Sequence, residues 1–356
     1  MTKVSRGRLA DGARIRTIKR LLLVALVACG NGASTPASPA PDPRPTPATP
    51  VATKGRVVTE TFLSEALGVE KDVRVYLPAG YDPAGSKRWP VFYYLNGLGG
   101  DETNWVELGK LDQTADQLGL AAIVVMPDGD NHFYVDSSMA VDYDACIKEG
   151  AGLFIARQPR KKTCVKAAKY ETYITRDLVG WVDRTYKTIA TRTGRGIAGL
   201  SMGGYGALML SMRNPELYAA AASHSGVDAL LYSGPFPYEK GKVTLINNPK
   251  EWGAGIGDFG TWIRGLYGAD ISTWRTHDPA ALVEKLVPGK PKLYLDCGTE
   301  DVFMLHNGMQ YLHDLLLERR LEHEYYIGPG GHDFAFWTAR LPKSLAFLRA
   351  NVEPAK

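Results

Sequence analysis

From residue 57 onward, short apolar or alternating runs take turns with stretches of helical spacing. Val57 to Phe62 and Lys71 to Leu77 alternate, the period of a strand with one wet face. Pro90 to Leu95 and Ala121 to Met126 are continuous apolar runs, as expected for strands covered on both faces. Gly196 to Leu200, Tyr218 to Ser223, Lys292 to Asp296 and Glu324 to Ile327 complete the predicted strands. Leu108 to Leu118, Tyr170 to Tyr186, Gly203 to Met212, Leu305 to Leu317 and Phe334 to Ala350 place apolar residues at helical intervals. Strands alternating with helices predict an α/β fold: a mostly parallel sheet with helices on both faces. The two leading strands, with no helix between them, predict an antiparallel leading edge. The segment 228–276 breaks the alternation and is rich in Gly, Pro and Trp, so it is expected to be an insertion or lid.

The N-terminus changes the picture of where the domain begins. Arg14, Arg16, Lys19 and Arg20 precede the apolar run Leu21 to Ala28, too short to span a bilayer and placed as in an export signal. The run ends Leu26-Val27-Ala28-Cys29, which resembles the lipobox of bacterial lipoproteins. Cys29 is therefore the expected lipid attachment site, the alternative being an ordinary signal peptide. Seven prolines between Pro36 and Pro50 favour extended polyproline II and offer little to bury. The expected organisation is an export segment at 1–29, a tether at 30–53 and a catalytic domain at 54–356, exported and anchored to a bacterial membrane.

Composition narrows the classes of function. The 356 residues are 45% hydrophobic and 22% charged, an ordinary globular balance. The net charge of +4 is slight and concentrated near the start, so no nucleic acid partner is expected. The histidines do not fall at ligand spacing with carboxylates, and no nucleotide loop appears, so neither metal nor cofactor is expected. Cys146 and Cys164 flank a basic stretch; in an oxidising compartment they can close a loop, and otherwise they remain two thiols. Cys297, in an apolar run, reads as a buried free thiol.

The candidate chemistry sits at strand ends. Gly199-Leu200-Ser201-Met202-Gly203 is Gly-x-Ser-x-Gly between a predicted strand and a predicted helix. That context lifts a serine hydroxyl above a sheet on a tight turn, with a helix N-terminus behind it. A serine needs a base, and the chain order Ser, acid, His of this pattern directs attention downstream. His332 lies in Gly328-Pro329-Gly330-Gly331-His332, a flexible loop after the last predicted strand, with His224 as its competitor. The acid falls in Asp296-Cys297-Gly298-Thr299-Glu300-Asp301, where Asp301 is favoured over Glu300 and Asp296. An oxyanion hole needs two backbone amides. Met202 supplies one, and Leu98 in Asn96-Gly97-Leu98-Gly99-Gly100 the other. Trp252, Trp262, Tyr267 and Trp274 either stack on a sugar or aromatic acyl group or form the core of the lid.

Together, Leu95 to Gly100 with Trp105, Pro127-Asp128-Gly129, Tyr170 to Tyr173, Gly199 to Gly204, Gly298 to Asp301 and Gly331-His332-Asp333 with Trp337 resemble the esterase D-like, or putative esterase, family. It contains S-formylglutathione hydrolases, feruloyl and acetyl xylan esterases, enterochelin esterases and secreted mycolyltransferases. The resemblance implies the α/β-hydrolase fold, Ser201, Asp301 and His332 as triad, and Leu98 and Met202 as oxyanion amides. It departs at Asn96, where many members carry His. Asp130 to Ser137 resembles the acyl-pocket loop of secreted members, and Cys146 and Cys164 fall where such members carry a loop-closing disulfide. The expected activity is hydrolysis of a small-molecule or carbohydrate-linked carboxylic ester. The alternative is an acyltransferase with a sugar or lipid hydroxyl acceptor, and a non-catalytic scaffold is disfavoured because no triad member is missing.

Overall fold

The computed structural model describes residues 54–137, 139–150, 160–254 and 257–356. The expected export segment with Cys29 and the expected proline-rich tether lie outside the described residues. Strands β1 (Arg56–Ser64), β2 (Val69–Leu77), β3 (Val91–Leu95), β4 (Ile123–Pro127), β5 (Arg195–Leu200) and β6 (Ala220–His224) enter one large sheet. Strands β7 (Tyr232–Gly234) and β8 (Thr244–Leu245) pair only with each other. Strands β9 (Lys292–Gly298) and β10 (His323–Gly328) return to the large sheet, whose order is β1-β2-β4-β3-β5-β6-β9-β10. The β1–β2 and β2–β4 pairs are antiparallel, and every later pair is parallel. All eight strands of this sheet occupy segments read as strands from the sequence. The outcome is an α/β-hydrolase arrangement with an antiparallel leading edge.

Side chains on successive strand positions point to opposite faces, so each buried strand feeds two cores. Val91, Tyr93 and Leu95 join one cluster, and Phe92 and Tyr94 the other. Helices α1 (Leu111–Gln117), α2 (170–185), α3 (Met202–Arg213), α4 (Asp258–Tyr267), α5 (Leu305–Glu318) and α6 (Phe334–Ala350) supply the covering layers and the insertion. Leu111 and Ala115 of α1 and Leu341, Leu345 and Leu348 of α6 pack on the Phe92 face. Helices α2, α3 and α5 cover the Val91 face through Ile174, Leu208 and Leu312. Within α2, Tyr173–Leu178 is wound as a π-helical segment between two α-helical turns.

The helix expected over Leu108 to Leu118 is shorter than its apolar spacing suggested. Lys110 has a φ of 54° and breaks it before Leu111, while Leu108 is 45% exposed. The cause is Trp105, buried with its indole N–H donating to the Leu95 carbonyl at 2.9 Å. Gly109 lies so close to it that a β-carbon would stand 2.7 Å from the Trp105 carbonyl oxygen. The chain turns there to keep the indole beneath the end of β3.

Described residues between β6 and β9 form an insertion that extends the core on the Val91 face of the sheet. Trp274 is fully buried, with Tyr267 at 4.8 Å and Trp252 at 5.9 Å between ring centroids. The indole N–H groups of Trp252 and Trp274 donate to the Leu230 and Gly268 carbonyls. These three aromatics are therefore structural core. Trp262 differs: it reaches the loop after β4, its N–H on the Asn131 carbonyl and its ring 5.1 Å from that of His132.

The feature that pattern reading passed over is a charge in the core. Lys71 lies on the inward register of β2, in phase with Val73 and Val75, and is fully buried. Its ammonium donates to Asp128 at 3.0 Å, to Asp130 at 2.9 Å and to the Lys162 carbonyl at 2.9 Å. Burial alone would lower the lysine pKa, but the two carboxylates outweigh it and raise it, so Lys71 stays charged. Tyr170 donates its hydroxyl to the same Asp130. The Lys162 segment is tied down by the Cys146–Cys164 disulfide, which spans 18 positions, while Cys297 remains a buried free thiol. Replacing Lys71 by Met should leave two buried carboxylates without their cation and lower stability by about 3–5 kcal/mol. Urea unfolding of the variant checks this, and a loss under 1 kcal/mol would contradict it.

Candidate active site

The parallel strands end on one side of the sheet, and the loops after β3, β5, β9 and β10 meet there. Ser201 occupies the turn between β5 and α3 with φ 54° and ψ −119°. A non-glycine residue held there costs about 1–3 kcal/mol, which the packing around it must supply. Gly199 and Gly203 make that packing possible. A β-carbon on Gly199 would fall 2.2 Å from the Gly203 carbonyl oxygen, and one on Gly203 would fall 2.4 Å from that of Leu95. The Ser201 amide donates to the His224 carbonyl at 2.8 Å, which fixes the turn to the neighbouring strand.

His332 comes from the loop between β10 and α6. Its Nε2 lies 2.9 Å from Ser201 Oγ and its Nδ1 2.7 Å from Asp301 Oδ2. The loop cannot drift freely. Thr299 and Glu300 donate their amides to the Gly328 and Gly330 carbonyls, and the Asp333 side chain caps α6 by accepting from the Phe336 amide. Phe303 and Trp337 flank the imidazole edge-on, with ring centroids at 4.8 and 5.0 Å.

The three carboxylates of the β9 segment separate by environment. Glu300 is exposed in the turn. Asp296 is fully buried within β9, bonded to His224 Nδ1 at 2.7 Å, to the Tyr294 hydroxyl and to Arg340. Asp301, only 3% exposed, faces His332. Burial pushes its carboxyl up, yet the bonds it accepts from His332, the Phe303 amide and the Cys297 thiol hold it below the ordinary value. His224, the competing base, is engaged elsewhere: its Nε2 pairs with Ser344 Oγ at 2.8 Å inside the core. Only its carbonyl serves the nucleophile turn.

The loop 96–100 lies against Ser201: a β-carbon on Gly97 would stand 3.4 Å from that of the serine. Gly100 donates its amide to the Gly97 carbonyl at 3.0 Å, and Gly99 donates to Asn131 Oδ1 at 2.7 Å. The turn therefore uses the two amides that follow Leu98 and leaves that of Leu98 outside its own bonding. Met202 opens α3, where an amide has no partner within the helix. The arrangement as a whole holds a hydroxyl, a base, an oriented acid and two available donors at one strand edge.

Residues 64–348 match the family described as "Putative esterase". The chain belongs to that family. Among curated relatives of this chain, Esterase MT1326 of Mycobacterium tuberculosis is 30% identical over 171 residues, 48% of this chain and 32% of the relative. The endo-1,4-beta-xylanase/feruloyl esterase of Xylanibacter ruminicola is 30% identical over 168 residues, 46% of this chain and 20% of the relative. The chain thus spans a third or less of the length of these relatives. An S-formylglutathione hydrolase from Agrobacterium tumefaciens shares the fold with a TM-score of 0.61 at 20% identity, covering 85% of this chain and 98% of that one. Mycobacterium tuberculosis MPT51 does so with a TM-score of 0.56 at 18% identity, covering 83% and 99%.

One residue of the site was recognised in the sequence only as a departure. Asn96, 1% exposed, stands at the start of the loop where many members carry His. Its side-chain oxygen accepts from the Gly129 amide at 2.9 Å and the Tyr134 hydroxyl at 2.8 Å, and its amide donates to the Gly97 carbonyl at 3.1 Å. Asn96 therefore ties the loop after β3 to the loop after β4, which Lys71 holds from the other side. Asn96→Ala should leave the buried Gly129 amide without an acceptor, while the Tyr134 hydroxyl keeps the main-chain carbonyl of residue 96, and lower stability by about 1–3 kcal/mol. Chemical denaturation measures the loss, and a neutral result would remove Asn96 as the brace.

Proposed function

We propose that the chain is a serine carboxylic-ester hydrolase working through an acyl-enzyme at Ser201. The observation that carries this reading is the continuous line from Ser201 Oγ through His332 to Asp301, with bonds of 2.9 and 2.7 Å. Ser201 donates its proton to His332 Nε2 as its oxygen attacks the ester carbonyl. The imidazolium that forms keeps its Nδ1–H on Asp301, whose carboxylate is held ionised. The carbonyl oxygen gathers negative charge between the Leu98 and Met202 amides. Collapse of this intermediate breaks the bond to the alcohol oxygen, which takes the proton from Nε2 and leaves. Water then enters, gives a proton to His332 and attacks the acyl carbon, and the acid departs as Ser201 regains its hydrogen.

The same reading places the enzyme outside the cytoplasm. It is supported by the signal-like run ending at Cys29 and by the Cys146–Cys164 bond, a pairing that persists in oxidising compartments. A lipid on Cys29 with the proline-rich tether behind it would hold the catalytic domain near a membrane surface.

Ser201→Ala should reduce hydrolysis of p-nitrophenyl butyrate by on the order of 10⁴-fold or more. Asp301→Asn should reduce kcat by on the order of 10⁴-fold, because an amide favours the wrong imidazole tautomer. Steady-state kinetics on correctly folded variants test both. A Ser201→Ala enzyme with near-normal turnover would remove the acyl-enzyme reading.

A further inference from the structure

The turn that follows Asp301 keeps three consecutive apolar side chains in water. Val302, Phe303 and Met304 are 43%, 43% and 39% exposed. The turn is not slack. Phe303 donates its amide to Asp301 Oδ1 at 2.9 Å, Met304 donates to the Asp301 carbonyl at 2.8 Å, and Met304 is held at φ 57°. Buried Asn307 adds a further tie, its side-chain amide donating to the Met304 carbonyl while its side-chain oxygen accepts from the Tyr238 amide. A rigid turn with a strained residue that presents apolar groups to solvent lowers stability twice, once through strain and once through lost burial. Folding gives no reason for it.

Its position gives one. The Phe303 ring lies edge-on to the His332 imidazole at 4.8 Å, and the ring's other neighbour, Trp337, is buried at 5% exposure. Of the two rings packed against the base, Phe303 is therefore the one that reaches solvent. In ester cleavage the departing alcohol oxygen must come within hydrogen-bond reach of Nε2 to collect its proton. The carbons attached to that oxygen then run out beside Phe303 and its neighbours. Glu300, exposed and acidic, borders the same turn, so an anionic leaving group would meet like charge there.

We infer that the turn 302–304 is the subsite for the alcohol half of the ester, and that it selects apolar alcohols over sugars and anionic thiols. This rests on the reading of Ser201 as nucleophile. It concerns the alcohol alone and is independent of which acyl group the enzyme accepts.

The test holds the acyl group constant and varies the alcohol: methyl, propyl and hexyl butyrate and 6-O-butyryl glucose, each below its solubility limit. Simple alkyl alcohols are nearly equal as leaving groups, so differences among them report binding. In the wild-type enzyme kcat/KM should rise about tenfold from methyl to hexyl, equivalent to burying roughly two methylenes, with the glucose ester below the hexyl ester. Phe303→Ser should flatten that rise, Phe303→Leu should restore it, and the dependence on acyl length among p-nitrophenyl esters should keep its slope in both. A flat wild-type series, a preference for the glucose ester, or a Phe303→Ser enzyme impaired by the same factor on every alcohol would overturn the inference and leave the nucleophile assignment standing. Failure of the wild type to cleave any of these or the p-nitrophenyl esters would overturn both.

Discussion

The backbone at Ser201 can hold its left-handed turn only because strand β5 and helix α3 approach closely enough to force it. Gly199 and Gly203 stand where any β-carbon would collide with backbone atoms, and the Ser201 amide is fastened to the His224 carbonyl. With the serine fixed above the middle of a parallel sheet, the loops after β3, β9 and β10 need only short excursions to reach it. Residues 98, 301 and 332 are far apart in the chain and meet because their strands end at one edge. The connection between strand direction and site position is general to open α/β sheets.

Two buried polar networks brace this edge from opposite faces. On one, Lys71 holds Asp128 and Asp130, whose loop passes through Gly129 to Asn96 and so to the turn carrying Leu98. On the other, Asp296 gathers His224, Tyr294 and Arg340 beneath the loop that presents Asp301 and His332. Apolar residues of similar volume would often be as stable. These ionic groups do what apolar packing does not: they impose direction on the loops, since each bond accepts only one orientation of its partner.

Much of this was legible in the sequence. The eight strands of the large sheet announced themselves through alternation or continuous apolar runs, and Ser201, Asp301 and His332 through the turn-forming glycines at their strand ends. Less visible was anything decided by tertiary partners. The apolar spacing of Leu108 to Leu118 favoured one helix, but burial of Trp105 broke it at Lys110. Lys71 did leave a trace, a cation on the inward phase of an otherwise apolar register, which demands a buried acid. His224 left none, because a histidine at a strand end beside the nucleophile looks the same whether it faces the site or the core. Phe303 was equally silent, since an apolar residue in a turn is ordinary until its distance to the imidazole is known.

The account depends on covalent chemistry at one oxygen. Acid-quenching the enzyme during steady turnover of a slowly deacylated aryl ester, followed by intact-mass and peptide analysis, reads that chemistry directly. The acyl mass should be found on the peptide containing Ser201, in amounts that rise to a steady level and disappear as substrate is exhausted. Turnover continuing with no acylated species, or with the acyl group on another side chain, would contradict it.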